Sequence, residues 1–263
     1  EINCKLFQAA RYSYEKYQAF VKKHPAVINV FNRRKASYNR SSEDEMTLLA
    51  GIDEAGRGPI IGSLFIAGIL INEEDSARLK TIGAKDSKLL LHKKRITLAK
   101  QILKIAKNNK VLNVSPEEID KAVNGHDGLN LNWLEARKTA EILNYLRPDK
   151  AIIDCPSPNT KAYTNYLKKF LNNQDIELII DHKAERYEVV AAASIIAKVS
   201  REEEIEEIEK TIGQKVGTGY MSNLQCQKFV KENFDKHPEL FRKSWMPYKR
   251  QIEEKEQKKL GDY

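Results

Sequence analysis

Two apolar segments, residues 47–53 and 60–71, are separated by a short turn that contains glycines and a proline. Apolar runs bounded by such turn residues are typical of β-strands, and a short turn lets the two strands pair antiparallel. The first run ends in two adjacent acids, Asp53 and Glu54, whose burial costs free energy unless their charge is offset. The sequence therefore predicts a β-hairpin with an acidic site at its turn.

After this hairpin, predicted helices and strands alternate along the chain. Ser115 followed by Pro116 predicts a helix start, because serine caps helices and proline is favoured in the first turn. The periodicity predicts helices over 92–108, 132–146, 160–171 and from 189 onwards, and strands over 110–114, 151–154 and 176–180. This order predicts an α/β fold in which helices flank a mixed β-sheet, with a helical C-terminal region.

The positive charge is concentrated in the first 42 residues, which carry +7 of the net charge of +8. Nine lysines and arginines are interleaved there with aromatic residues, a composition typical of nucleic-acid-binding segments. The alternative is a helix over 5–23 that packs its aromatic face on the rest of the protein. We place a domain boundary near residue 46, so that a basic aromatic extension (1–46) precedes the main domain (47–263).

Several classes of protein are disfavoured by composition. The longest apolar run has twelve residues, fewer than the roughly 20 that a membrane-spanning helix needs. No charged-then-apolar signal pattern opens the sequence. Three widely spaced cysteines without a CxxC pair favour a reducing compartment over a zinc site or a disulfide framework. We therefore expect a cytoplasmic protein with no membrane partner.

A third acid, Asp154, also ends an apolar strand candidate. If the two strands are neighbours, the side chains of Asp53 and Asp154 can lie about 5 Å apart. Successive residues of a strand point to opposite faces, so Glu54 joins them only if its strand ends at Asp53. Converging carboxylates suit a hard divalent cation such as Mg²⁺ or Mn²⁺. The pattern indicates phosphodiester hydrolysis with two metal ions about 4 Å apart, with a solvated turn as the alternative.

The acids are followed closely by Gly56, Arg57 and Gly58. Glycines let a backbone approach a ligand closely, and an arginine among them suits phosphate. A plain tight turn is the alternative. The segment is neither a Walker loop nor a complete dinucleotide fingerprint.

Six motifs, in this order, resemble those of the type 2 ribonucleases H. They are GIDEAGRGP, KDSK at 85–88, LN at 129–130, IIDCP at 152–156, HKAERYEVVAAASIIAKV at 182–199 and GTGY at 217–220. The resemblance implies a ribonuclease H-like fold and hydrolysis of the RNA strand of RNA–DNA hybrids. It also implies nicking of duplex DNA at embedded ribonucleotides, products with 3′-hydroxyl and 5′-phosphate ends, and dependence on Mg²⁺ or Mn²⁺. We expect a monomer.

The subtype is left open by two features. The GRG form resembles ribonuclease HII more than ribonuclease HIII. The N-terminal extension and Glu185 resemble ribonuclease HIII, which uses glutamate where ribonuclease HII usually has aspartate after Lys-Ala.

The resemblance implies four metal-binding carboxylates. Asp53, Glu54 and Asp154 match the family motifs, and Glu185 is the candidate for the fourth. Asp181, four residues upstream, is its rival. If the fourth acid is displaced, the alternative function is a hybrid-binding protein that cleaves weakly or not at all.

Substrate-binding residues are implied in the same way. The GRG segment would hold the ribonucleotide and its phosphate, since a protein can distinguish RNA from DNA through the 2′-hydroxyl. Tyr220 matches a tyrosine that stacks near the RNA–DNA junction, with a core aromatic as the alternative. Ser87 and Lys88 match a motif that approaches the nucleic-acid backbone, with a helix cap at Ser87 as the alternative.

Overall fold

The computed structural model describes residues 46–84, 91–125 and 128–261, the last four of these by their backbone alone. The predicted extension 1–46, apart from Met46, lies outside these ranges. So do two of the predicted substrate-binding residues, Ser87 and Lys88.

The centre of the structure is a five-stranded mixed sheet with the strand order β3-β2-β1-β4-β5. Its strands are β1 (Leu48–Ala55), β2 (Leu64–Asn72), β3 (Asn108–Val114), β4 (Lys150–Asp154) and β5 (Glu177–Asp181). The first three strands pair antiparallel, whereas β4 runs parallel to both β1 and β5. The predicted hairpin and the predicted mixed sheet are both confirmed.

Eight α-helices lie in the described ranges. They are α1 (Ser76–Thr81), α2 (His92–Ile105), α3 (Pro116–Val123), α4 (Leu131–Leu146), α5 (Thr160–Lys168), α6 (Glu188–Ile212), α7 (Leu224–Asn233) and α8 (Met246–Gly261). The predicted start of α3 is confirmed, since the Glu118 amide donates to the Ser115 hydroxyl oxygen at 3.2 Å. Among the described helices, none is long and apolar enough to cross a membrane.

The two faces of β1 contact different helices. Ala50 and Ile52 belong to the main hydrophobic core, together with residues of α3, α4 and α5. Gly51 faces α6 so closely that an added Cβ would lie 2.4 Å from the backbone of Val189. Because side chains alternate along a strand, Asp53 points to the α6 side of the sheet, as Gly51 does.

The predicted second strand begins four residues later than expected, at Leu64. The segment before it, which begins at Ile60, does not pair with the sheet. It contacts the C-terminal part of the chain instead. The amide of Ile60 donates to the carbonyl oxygen of Gly219 at 3.0 Å, and the amide of Arg242 donates to the carbonyl oxygen of Ile60 at 2.9 Å. Ile60 and Ile61 thereby join a second apolar cluster with residues of α7, which attaches the helical C-terminal region to the turn after β1.

Candidate active site

Two of the predicted acids lie side by side toward the C-terminal ends of the inner strands β1 and β4. The register places Ile52 of β1 opposite Ile153 of β4, so Asp53 and Asp154 each follow as the next residue on neighbouring strands. Neighbouring strands lie about 4.8 Å apart. The sequence prediction that these carboxyl groups converge at the strand ends is therefore supported by the sheet register.

Asp53 is a buried acid that is held by specific donors. The backbone amide of Glu54 donates to its Oδ1 at 2.7 Å, and the hydroxyl of Ser194 on α6 bonds its carboxyl group. Burial, together with the charges of Asp154 and Glu185, raises the pKa of Asp53 to about 7 against the opposing effect of these hydrogen bonds. The ammonium group of Lys198 in turn donates to the Ser194 hydroxyl oxygen at 2.9 Å.

Glu54 points away from Asp53. The strand does not end at Asp53, as the prediction required, but continues to Ala55. Side chains alternate along it, so Glu54 lies on the α4 side, where Glu135 and Arg57 are its charged neighbours. Burial, followed by the charge of Glu135, holds the pKa of Glu54 well above its usual range, while Arg57 acts in the opposite direction.

Arg57 lies between Glu54 on β1 and Glu135 on α4. Its Nε donates to Oε1 of Glu135 at 2.9 Å and lies 3.5 Å from Oε1 of Glu54, and its Nη2 donates to Oδ1 of Asn132 at 2.8 Å. Glu135 is fully buried, and its Oε2 has no hydrogen-bond partner in the described part of the chain. Burial raises the pKa of Glu135 to about 7 despite the guanidinium of Arg57.

The rival candidates for the fourth acid have different neighbours. The amide of Ala184 donates to Oδ1 of Asp154 at 2.7 Å, which holds the short 3₁₀ turn Ala184–Arg186 against β4. Glu185 lies in that turn, half-buried, and its charge acts on Asp53. Asp181 instead pairs with the guanidinium of Arg186. The register also places Asp181 opposite Asp154 on neighbouring strands. Of the two candidates, Glu185 is the one whose charge acts on Asp53.

The donor set fits a hard divalent cation in its chemistry. Every candidate ligand is a carboxylate oxygen, and the repulsion between Asp53, Asp154 and Glu185 is of the kind that a cation relieves. As the side chains stand, no group of three or more His, Cys, Asp or Glu within the described ranges is arranged to hold a metal ion. Glu54 lies on the other side of β1 from Asp53, where it is near Arg57.

The backbone of the GRG segment is hydrogen-bonded by Arg242, a residue that the sequence did not indicate. Arg242 is fully buried, and its guanidinium donates to three carbonyl oxygens: those of Gly56, of Arg57 at 2.7 Å and of Gly62 at 3.0 Å. Burial, followed by the neighbouring charge of Arg201, lowers the pKa of Arg242 to about 10. A residue about 185 positions away in sequence thus fixes the backbone of the predicted substrate loop.

Tyr220 lies beside the same loop and is exposed, with 41% of its surface accessible. The alternative of a core aromatic therefore does not hold. Its ring lies under the guanidinium of Arg201, 5.4 Å from the ring centroid. Its Cε1 is so close to Gly58 that an added Cβ would lie only 3.3 Å away. The glycine therefore lets the loop backbone and the tyrosine ring share one surface.

Known proteins with similar sequences belong to one family. The family model for ribonuclease HII matches residues 50–248. A ribonuclease HII of Methanococcus maripaludis strain C5 is 39% identical over 234 residues, which is 86% of this chain and 96% of the relative. A ribonuclease HII of Pyrococcus furiosus is 40% identical over 212 residues, covering 78% of this chain and 91% of the relative.

Solved structures give the same result. The ribonuclease H2 of Pyrococcus horikoshii OT3 superposes with a TM-score of 0.71 at 37% identity, covering 79% of this chain and 98% of that one. Ribonuclease HII in its complex with PCNA from Archaeoglobus fulgidus gives 0.67 at 38%, covering 75% and 95%. A Bst ribonuclease HIII, solved with Mn²⁺, shares the fold at 22% identity and a TM-score of 0.64, covering 79% and 70%.

The fold and the acidic strand ends define a type 2 ribonuclease H, a hydrolase with ribonuclease H activity on RNA–DNA hybrids. Within that class, the chain belongs to the ribonuclease HII family. The subtype suggested by the GRG segment is thereby confirmed, and the ribonuclease HIII alternative is not supported, since the ribonuclease HIII structures are more distant in sequence.

Proposed function

We propose that this protein is a divalent-metal-dependent endoribonuclease. It hydrolyses the RNA strand of RNA–DNA hybrids, nicks duplex DNA at embedded ribonucleotides, and leaves 3′-hydroxyl and 5′-phosphate ends. The observation that carries the proposal is the position of Asp53 and Asp154 beside each other on neighbouring strands, with the charge of Glu185 acting on the buried Asp53 carboxyl group.

The metal ligands in this proposal are Asp53, Glu54, Asp154 and Glu185. When Mg²⁺ or Mn²⁺ is bound, the two ions supply an activated water and stabilise the leaving oxygen. Ser194 and the Glu54 amide hold the Asp53 carboxylate in place. The Ala184 amide does the same for Asp154. Glu54 has to turn from Arg57 toward Asp53 to join them.

The substrate clamp is assigned to Gly56, Arg57, Gly58 and Tyr220. Arg242 holds the carbonyl oxygens of the GRG segment, which leaves the opposite side of that backbone to face a ribonucleotide. Tyr220 presents an exposed ring next to Gly58 for stacking on the sugar or base at the RNA–DNA junction. Ser87 and Lys88 remain proposed backbone contacts. A monomeric, cytoplasmic enzyme remains part of the proposal.

The proposed nicking at embedded ribonucleotides is tested with a DNA duplex that contains a single ribonucleotide. We expect one metal-dependent nick on the 5′ side of that ribonucleotide, with a 3′-hydroxyl on the upstream product and a 5′-phosphate on the downstream one. A 2′,3′-cyclic phosphate would contradict water as the nucleophile. Tight binding of the duplex without any metal-dependent nick would support the alternative of a hybrid-binding protein.

A further inference from the structure

A compact group of aromatic and cationic side chains lies on the surface where α4 packs against α5. We refer to Trp133, Arg137, Tyr166, Lys169 and Phe170 as the α4–α5 face. The rings of Trp133 and Tyr166 are stacked with their centroids 4.5 Å apart, and Phe170 follows at 5.1 Å from Tyr166. Phe170 is exposed, as are both cations.

The guanidinium of Arg137 is held in a fixed direction on this face. Its Nε donates to the Tyr166 hydroxyl oxygen at 2.9 Å, and its Cζ lies 5.8 Å from the Tyr166 ring centroid and 5.2 Å from that of Phe170. The ammonium group of Lys169 lies 5.7 Å from the Tyr166 centroid. Within the described ranges, neither cation has a carboxylate at ion-pair distance.

Several other surface cations of the protein are paired with carboxylates. Lys121, Lys215 and Lys255 each lie 2.7 Å from a carboxylate oxygen, so their charge is largely offset. On the α4–α5 face, aromatic rings take the place of carboxylates, and the chain from residue 155 to 174 contains three lysines and no acid. The face therefore carries uncompensated positive charge on a rigid support.

The face is continuous with the candidate active site through α4. Asn132, which holds Arg57, directly precedes Trp133 on the helix. Arg137 lies four residues beyond Trp133, on the same side of the helix.

We propose that the α4–α5 face binds the phosphate backbone of the substrate duplex, outside the reacting nucleotide. The inference rests on the proposed function, since it assigns the duplex bound at the active site as the occupant. Backbone phosphates fit better than unpaired bases, because Trp133 and Arg137 already cover the ring of Tyr166. What the face offers to a ligand is the two Nη groups of Arg137 and the ammonium group of Lys169, which suit phosphate oxygens.

The test compares the full chain with the double variant Arg137→Gln, Lys169→Gln, which removes two charges and keeps the aliphatic stems. Binding of fluorescent hybrids is measured in EDTA over a series of salt concentrations. One hybrid spans several helical turns and the other less than one turn. For the long hybrid, the plot of log affinity against log salt should become shallower by about 2, with affinity about tenfold lower at moderate salt. The short hybrid should change less.

The matched control is Lys100→Gln, Lys104→Gln, which removes two exposed lysines from α2. That helix packs on α6, on the other side of the sheet from α4 and α5. The control should keep the wild-type salt dependence, and both double variants should keep the wild-type melting temperature. An unchanged slope and affinity for Arg137→Gln, Lys169→Gln would overturn the inference, as would an equal loss in the control.

Failure of the inference and failure of the proposed function give different results. If the wild type cleaves hybrids and the Arg137→Gln, Lys169→Gln variant binds them normally, the α4–α5 face is excluded while the proposed function stands. If the wild type cleaves nothing but its affinity for the long hybrid still depends on Arg137 and Lys169, the proposed function fails while the face stands.

Discussion

The buried guanidinium of Arg242 donates through Nη1 to the carbonyl oxygen of Arg57 at 2.7 Å. Two more carbonyl oxygens, those of Gly56 and Gly62, accept from this side chain, so one buried guanidinium bonds both ends of the turn that contains the GRG segment. The GRG segment and the segment that leads into α8 are therefore joined by direct contacts, although they lie far apart in sequence.

Replacing Arg242 with alanine should lower both stability and activity. Three buried carbonyl oxygens would lose their donor, and we expect a loss of about 3 kcal/mol or more in the free energy of unfolding. Denaturant unfolding measures the first effect and hybrid cleavage the second. Arg250→Ala, which removes an exposed arginine from α8, is the control and should change neither. Wild-type stability in Arg242→Ala would show that the loop does not depend on this residue.

Asp53→Asn should stabilise the metal-free protein while it abolishes cleavage. Because the pKa of Asp53 is raised to about 7 in the folded state, the folded protein binds this proton more tightly than the unfolded chain, where the pKa is about 3.9. The stability gained from protonation is complete below about pH 4 and is lost as the pH rises through about 7.

Denaturant unfolding in EDTA measures this effect. At about pH 8, Asp53→Asn should be more stable than wild type by about 2–4 kcal/mol, and the difference should shrink toward about pH 4. The exposed Asp175 supplies the control, Asp175→Asn, which should follow the wild-type curve. A wild-type protein whose stability is independent of pH between 4 and 8 would contradict the raised pKa of Asp53.

Glu185 and Asp181 can be separated by paired substitutions. We expect Glu185→Gln to reduce cleavage by about 100-fold or more, the scale seen when one charge-stabilising group is removed from an active site. Asp181→Asn should retain near-wild-type cleavage, because the Asp181 carboxylate pairs with Arg186. Steady-state rates on one hybrid substrate measure both. The opposite ranking would assign the fourth ligand to Asp181.

Removal of residues 1–45 should weaken hybrid binding and flatten its dependence on salt. The first 42 of these residues carry +7 of the net charge of +8, and fewer phosphate contacts release fewer counterions. Fluorescence anisotropy over a salt series gives the slope for the full chain and for a chain that begins at Met46. An identical slope would favour the alternative in which the N-terminal helix packs on the rest of the protein.

The sequence predicted the hairpin and the mixed sheet, since these follow from local patterns of apolar residues, turns and caps. It placed Asp53 near Asp154 only on the condition that their strands are neighbours, and the sheet register meets that condition. It misplaced the start of β2, because the segment at Ile60 and Ile61 is equally apolar whether it pairs in a sheet or packs on α7. The predicted first strand also ended at Asp53, whereas β1 continues to Ala55. The side of the strand on which Glu54 lies was therefore not fixed by the sequence.

Arg242 and Glu135 were missed for a different reason. Both are charged residues in ordinary sequence contexts, and nothing near them in the chain indicates burial. Their roles depend on contacts with the GRG segment over 78 residues or more of sequence. A buried arginine donating to backbone carbonyl oxygens leaves no local pattern, so only the tertiary structure identifies it.

The central claim is that the acids at the ends of β1 and β4 carry a metal-dependent hydrolysis. The most direct measurement is cleavage of an RNA–DNA hybrid by wild type and by Asp154→Asn, each in Mg²⁺, in Mn²⁺ and in EDTA. We predict cleavage by the wild type with either metal, none in EDTA, and loss of activity in Asp154→Asn with its melting temperature retained. Equal cleavage in EDTA, or retained cleavage by Asp154→Asn, would contradict the account.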